Sequence, residues 1–366
     1  MQPTGKLRGG VVRVGGDARQ RFYDSRGYGR PLSGNEIELS RIEAAHLLFR
    51  GDLARVVLDD GDGPAVGFER FFVDSAAATN RFAVRYLVYA DLRDRGFYLS
   101  PTRDGWPGSD ADFGDDVDLI AYERGSTPDT GNVLYPVRIV GEREPIPASG
   151  VVDRTLAVVD EESDITYFTA TTPDIRGTTA YEPPTDLTGV LLDDRVIVWN
   201  APNELYERGF YGQPLTGRAA AVENAVQLSL IEAASLARRG SLSLSRSNDD
   251  GQRGTGAAAI RSRGRAVEGD RFDRRLTVYE RLRDRSVVPK TGFKFGADFR
   301  TYLDVETVEE LPHSEQLVRV VAPDHAFAPR ELSLDVRLAG GVRKEMVFAL
   351  TDGDDVEWVS VGRLTP

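Results

Sequence analysis

The chain is 366 residues long, enough for two or more domains with cores of their own. It has no Cys, which excludes disulfides and thiolate metal sites. Its three His (His46, His313 and His325) are too few for a histidine-rich metal cluster, while carboxylate-only Mg2+ sites stay open. The net charge of −12 speaks against a partner held by bulk positive charge. Lysine occurs only at Lys6, Lys290, Lys294 and Lys344, so arginine supplies nearly all of the 46 basic side chains against 58 acidic ones. An acidic, lysine-poor surface suits molar salt, where the screening length falls to about 3 Å and repulsion of a polyanion becomes local. A halophilic archaeal cytoplasm is therefore the expected setting. No run approaches the ~18 apolar residues of a membrane span, and no charged-then-apolar signal opens the chain, so a soluble cytoplasmic protein without a membrane partner is expected.

Taken in order, the chain repeats itself. FYDSRGYGRPLSG (22–34) matches LYERGFYGQPLTG (205–217), both turn-rich stretches with no P-loop or dinucleotide fingerprint. LSRIEAAHLLFRGDL (39–53) matches LSLIEAASLARRGSL (228–242), and each predicts an amphipathic helix closed by a glycine. Residues 53–66 predict a DDGDG turn between two strands, and the polar, glycine-rich 245–256 predicts an exposed loop. VYADLRDRGFYLSP (88–101) matches VYERLRDRSVVPKT (278–291), each within a segment whose helix opens near Phe82 or Phe272. A Pro-containing stretch, 171–189, joins the halves. The fold class is α/β in the broad, α+β sense: a tandem duplication of a unit made of small mixed-sheet subdomains with packed helices, including one late in each repeat. The boundaries fall at 1–180 and 181–366, with a C-terminal subdomain of the second repeat from about 268.

The second repeat ends in a stretch, 292–350, that places a Tyr, a His and a Lys at or near strand ends. Tyr302 closes one apolar run, His313 precedes the β-rich run 317–321, and Lys344 opens the run 346–350. Between the last two, Pro329 followed by Leu332, Val336 and Ala339 predicts a short helix stopped by Gly340 and Gly341. Tyr, His and Lys form an acid/base set that works without a metal. Histidine titrates near 6.5, tyrosine near 10, and an ammonium can neutralise developing phosphate charge. The set suits RNA cleavage by its own 2'-hydroxyl. His46 and His325 read as structural, and the carboxylate runs 110–118 and 352–355 as halophilic surface.

KFGADFRTY, HSEQLVRVV and VRKEMVFAL resemble, in order and approximate spacing, the C-terminal catalytic region of archaeal tRNA-splicing endonucleases of the duplicated, homodimeric type. The resemblance implies Tyr302 as general base, His313 as general acid and Lys344 as transition-state stabiliser. It also implies excision of introns from precursor tRNA at bulge-helix-bulge motifs, leaving 2',3'-cyclic phosphate and 5'-hydroxyl ends with no metal or other cofactor. Arg337 matches the family's base-stacking arginine, Trp358 is the second candidate RNA contact, and Asp174 the candidate acidic contact of the homodimer. An ungapped alignment of 136–140 on 317–321 sets Asn132 opposite His313 and Ser163 opposite Lys344, with Tyr302 opposite Ile120 or Ala121, so only the second repeat is expected to be catalytic. The same alignment sets the loop 351–355 opposite 170–174. Two other classes stand beside this one: a non-catalytic tRNA-binding or assembly subunit, and a metal-dependent nuclease that leaves 5'-phosphates.

Overall fold

The computed structural model describes residues 2–58, 62–108, 116–126, 132–215, 224–245 and 256–366. Nearly all of the expected loop 245–256, part of the DDGDG turn and most of the run 110–118 lie outside them. The chain divides into two compact units: Met1–Ala170 with Phe327–Leu332 and Arg363–Pro366, and Thr171–Ala326 with Ser333–Gly362. Among the described residues no helix is long and apolar enough to cross a membrane.

The first unit opens with a six-stranded sheet ordered Arg30–Pro31, Ile37–Ser40, Val11–Val14, Thr4–Arg8, Arg55–Val57, Ala65–Val66. Helix Arg41–Phe49 lies between Ile37–Ser40 and Arg55–Val57 in the chain, and helices Phe68–Ala78 and Phe82–Asp94 follow Ala65–Val66. Five further strands run side by side in the order Tyr98–Pro101, Leu119–Tyr122, Val133–Gly141, Arg154–Val159, Ile165–Thr171, antiparallel except for the parallel third and fourth. The second unit repeats the plan. Its first sheet is ordered Gln213–Pro214, Val226–Ser229, Arg195–Val198, Leu187–Leu191, Leu242–Leu244, with helices Leu230–Arg238, Gly256–Glu268 and Arg271–Asp284. Its later strands are Val288–Thr291, Phe299–Tyr302, Gln316–Val321, Glu345–Asp352 and Asp355–Leu364, again with the third and fourth parallel. The mixed-sheet, helix-packed class read from the sequence is the one observed.

The local causes recur as well. Ser40 and Glu43, like Ser229 and Glu232, satisfy each other's orphan amides in a capping box, so the S-x-x-E spacing fixes where each helix starts. Gly29 and Gly212 both take left-handed φ (+72° and +67°), and a Cβ there would meet the carbonyl oxygen of Glu38 or Gln227 at 2.2 or 2.6 Å. Arg93 lies 3.6 Å over the Tyr28 ring, and Arg283 lies 4.1 Å over Tyr211. Asp118 and Asp298, both buried, each receive a strand amide, from Ile139 (2.7 Å) and Val320 (2.9 Å). Two arginines of the preceding helix segment pair with each: Arg81 and Arg85 with Asp118, Arg271 and Arg275 with Asp298.

Two features depart from expectation. Helices Phe68–Ala78 and Gly256–Glu268 are additional; Gly264 of the latter lies so close to the Phe272 ring that a Cβ would approach it to 2.2 Å. The helix expected late in both repeats exists only in the second, as Pro329–Gly341, with Leu332, Val336 and Ala339 buried and both glycines inside its last turn. The first repeat replaces it with a short connection that holds the two-residue strand Ile146–Pro147 and the 3-10 turn Ala148–Gly150.

Two measurements check this account. His46 is 2% exposed, with Nδ1 3.0 Å from the Tyr28 hydroxyl; burial, aided by Arg93 and Arg50, pushes its pKa down to about 4. Its folded pKa lies below the unfolded value near 6.5. The neutral ring therefore contributes stability that is complete above about pH 6.5 and is lost as pH falls towards 4, on the order of 2 kcal/mol. Denaturant titrations at pH 7 and 4.5 should show that loss, and His46→Gln should shrink it. Asp298→Ala strands two arginines and an amide, and should cost about 3 kcal/mol in the same assay.

Candidate active site

Strand register decides which side chains meet. Phe299–Tyr302 runs antiparallel to Gln316–Val321, with Thr301 opposite Gln316. Gln316–Val321 runs parallel to Glu345–Asp352, with Gln316 opposite Glu345. Parallel partners begin at the same edge, and their antiparallel neighbour ends there. Tyr302 is the last residue of its strand, His313 lies three residues before Gln316, and Lys344 immediately precedes Glu345. All three therefore fall at one edge of the sheet. Hydrogen bonds tie the segments together. Lys344 Nζ donates to the Ser314 carbonyl, next to His313. The Glu315 amide donates to the Thr301 carbonyl (3.1 Å) and the Glu345 amide to the Glu315 carbonyl (3.0 Å). The Leu303 amide donates to Glu315 Oε2 at 3.2 Å.

The three environments differ. Tyr302 is 2% exposed and packed with Phe210, Val288 and Val305. Burial pushes its pKa up, Arg300 lowers it and Glu315 raises it again. The cation that acts on it is Arg300, 5.6 Å over its ring, and Arg300 does not overcome burial. His313 is exposed. Lys344 is half-buried, its ammonium 5.7 Å from the Phe295 ring centre; burial and then Arg300 push its pKa down while Glu315 raises it. Arg300 and Glu315 thus face both groups, and nothing in the sequence marked them, because a strand arginine and a strand-edge glutamate look like ordinary surface.

Comparison with known proteins decides the family. The model for the tRNA intron endonuclease catalytic C-terminal domain matches residues 272–358, which contain all three side chains, and the model for the N-terminal domain matches both 4–72 and 187–252. The chain is 53% identical over 363 residues to a tRNA-splicing endonuclease of Haloferax volcanii and 54% identical over 367 residues to one of Halobacterium salinarum. Each alignment covers 99% of both chains. It is 35% identical to a tRNA-splicing endonuclease of Methanosarcina mazei, with 98% of both chains covered. The chain belongs to the tRNA intron endonuclease family. It is a tRNA-intron endoribonuclease.

Register also re-aligns the endonuclease's two repeats. The Asp118 and Asp298 amides donate to the Val137 and Val318 carbonyls, so these residues correspond. Tyr98 pairs with Tyr122 as Val288 pairs with Tyr302, which makes Tyr122 the counterpart of Tyr302 in place of Ile120 or Ala121. Tyr122 is buried, and its hydroxyl donates to the Pro107 carbonyl at 3.1 Å. Val137 pairs with Thr155 and Val318 with Val347, so Lys344 falls opposite Val152; Ser163 sits in the turn after the next strand. Asn132 keeps its place opposite His313. The first repeat therefore lacks the His and the Lys but retains the Tyr.

The same register corrects two further expectations. The loop 351–355 corresponds to the exposed turn 160–164, not to 170–174, so the alignment that singled out Asp174 does not hold; Asp174 is exposed and paired with Arg176 at 2.9 Å. Trp358 is 4% exposed, packed with Val347 and Ala349, with the Arg285 guanidinium 5.4 Å above its ring. A ring so enclosed offers no face to a base. Arg337 is exposed on Pro329–Gly341 and makes no ion pair among the described residues.

Arg300 and Glu315 shift Tyr302 and Lys344 in the same sense, which gives a signed prediction. Arg300→Gln should move the alkaline side of the cleavage pH profile upward, and Glu315→Gln should move it downward. Both shifts should shrink in molar salt. Unmoved profiles in low salt would separate these two residues from the chemistry.

Proposed function

We propose that the endonuclease excises introns from precursor tRNA at bulge-helix-bulge motifs through Tyr302, His313 and Lys344 of the second repeat, without a metal. The observation that carries this reading is the hydrogen bond from Lys344 to the Ser314 carbonyl. It holds a cation one residue from His313 at the strand edge where Tyr302 ends. The 2'-oxygen attacks the adjacent phosphorus as its proton passes to water, or to the Tyr302 phenolate once that group has ionised. The bond to the 5'-oxygen breaks, and His313 gives that oxygen a proton, leaving a 2',3'-cyclic phosphate and a 5'-hydroxyl. Lys344 neutralises charge on the non-bridging oxygens. Tyr302 contacts the 2'-hydroxyl. Since burial keeps the phenol protonated at neutral pH, it orients that group there and acts as base only as it ionises.

The catalytic-domain match lies in the second repeat, so one chain supplies one centre. Excision needs two cuts, and a homodimer supplies two centres related by a two-fold axis. Its candidate acidic contact is the exposed turn 160–164, with Asp160, Glu161, Glu162 and Asp164, in place of Asp174. Arg337 remains the proposed base-stacking contact.

End-labelled RNA carrying a bulge-helix-bulge, incubated in high salt with EDTA, tests the reading. Cleavage at both bulges with cyclic phosphate and 5'-hydroxyl ends is expected. His313→Ala should slow it about 10²–10⁴-fold with RNA binding kept, and Tyr302→Phe should cost far less at neutral pH. Cleavage that requires Mg2+ and leaves 5'-phosphates would overturn the mechanism, and tight binding without cleavage would make the chain an RNA-binding subunit.

A further inference from the structure

The two units share one buried carboxylate, and what lies against it differs. In the first unit Glu43 accepts the amides of Gly29 (2.6 Å) and Ser40 (2.8 Å), and the Trp106 indole N–H reaches its Oε2 at 3.4 Å. Trp106 is 3% exposed, with the Arg30 guanidinium 4.7 Å over its ring, and Arg30 is paired with Glu38 at 2.7 Å. The seat is filled by an indole and bordered by an ion pair. That indole comes from the connection between Tyr98–Pro101 and Leu119–Tyr122.

In the second unit the counterpart, Glu232, accepts the amides of Gly212 (2.9 Å) and Ser229 (3.0 Å) and the ammonium of Lys290 (3.2 Å). The equivalent connection, 292–298, carries no tryptophan. Register makes Gln213 and Gln227 the counterparts of Arg30 and Glu38, so two opposed amides replace the ion pair. Against them lies a cavity of about 430 Å³, lined by Gln213, Gln227, Glu232, Tyr279, Lys290 and Thr291 among others. That volume lies in the range of small-molecule sites, ~300–1,000 Å³.

The cations at the cavity are committed. Lys290 also donates to the Phe210 and Gly212 carbonyls, Arg275 is paired with Glu268 and Asp298, and Arg195 is paired with Asp194 and donates to Gln227 Oε1 at 2.9 Å. A phosphate would find no spare charge there. Side-chain amides beside a space that its paralogue fills with a planar heteroaromatic ring suit a base, whose edge carries matched donors and acceptors. The seat also adjoins the candidate active site, because Lys290 faces Arg300 across the strand pair and Arg300 acts on both Tyr302 and Lys344.

We infer that this cavity seats one unpaired nucleobase of the RNA substrate, its edge read by the Gln213 amide and by the Gln227 NH2 group, whose carbonyl oxygen Arg195 already occupies. The inference rests on the RNA cleavage proposed above. Its test uses the full chain, labelled with nitrogen-15 and titrated with AMP, GMP, CMP, UMP and, separately, indole, with the amides of Gly212, Ser229 and Thr291 followed. At least one nucleotide should shift them. Thr291→Trp, which fills the cavity as Trp106 fills its counterpart, should abolish the shifts and weaken binding of bulged RNA about tenfold at an unchanged melting temperature. Should that variant fail to fold, Gln213→Ala provides the second comparison, with a several-fold loss expected. Shifts with indole alone would assign the seat to an aromatic side chain of a protein partner and overturn the inference, as would unmoved amides with every probe. Nucleotide shifts in a chain that cleaves no intron RNA would retire the proposed function and leave the seat standing as a nucleobase site.

Discussion

The candidate site depends on one parallel strand pair. Gln316–Val321 and Glu345–Asp352 run in the same direction, so the chain must cross from the far end of one to the near end of the other, and Pro329–Gly341 makes that crossing. Two strand starts then lie side by side, with His313 ahead of one and Lys344 ahead of the other. An antiparallel pairing would have put a strand start beside a strand end and sent these two residues to opposite edges. Asp298 secures the arrangement from below by accepting the Val320 amide while it holds two helix arginines. That buried acid locks the helix Arg271–Asp284 onto the strand that His313 precedes.

Much of this was legible because the relevant signals are local. The S-x-x-E capping boxes gave the helix starts, and the spacing of Leu332, Val336 and Ala339 gave the crossover helix and its buried face. Signals that depend on pairing were not legible. A bulge between Ala121 and Tyr122 offsets the first repeat by a residue, enough to hide Tyr122 behind its neighbours in an ungapped alignment. Asp118 and Asp298 were lost for another reason: in a chain with 58 acidic residues, a buried acid has no compositional contrast with the surface. The burial of Trp358 was not legible because an indole serves a core as readily as a base stack, and its neighbours on Asp355–Leu364 do not tell the faces apart.

Opposite electrostatic solutions have settled on equivalent carboxylates. Burial raises Glu43, and the bonds from Ser40 and Gly29 only partly offset it; burial acts on Glu232 too, but Lys290 and the Gly212 and Ser229 bonds outweigh it and hold the carboxylate below its ordinary range. One lysine, in a chain that holds four, separates the two outcomes. Such short-range, part-buried pairs keep their strength in concentrated salt, where exposed charges lose theirs. A halophilic protein can therefore concentrate its working electrostatics in a few enclosed contacts while its surface stays uniformly acidic.

The crossover is also where the repeats have parted. Val318 and its partner Val347 are 29 positions apart, whereas Val137 and Thr155 are 18 apart, and the missing length is the helix. The first repeat still has its tyrosine, and a histidine at 132 or a lysine at 152 is one substitution away. Of these two positions only Val152 lies on the shortened connection; Asn132 precedes the strand Val133–Gly141 as His313 precedes its own. The two crossovers differ by eleven residues, so a point substitution can exchange Asn132 or Val152 but cannot supply the helix that leads into Lys344.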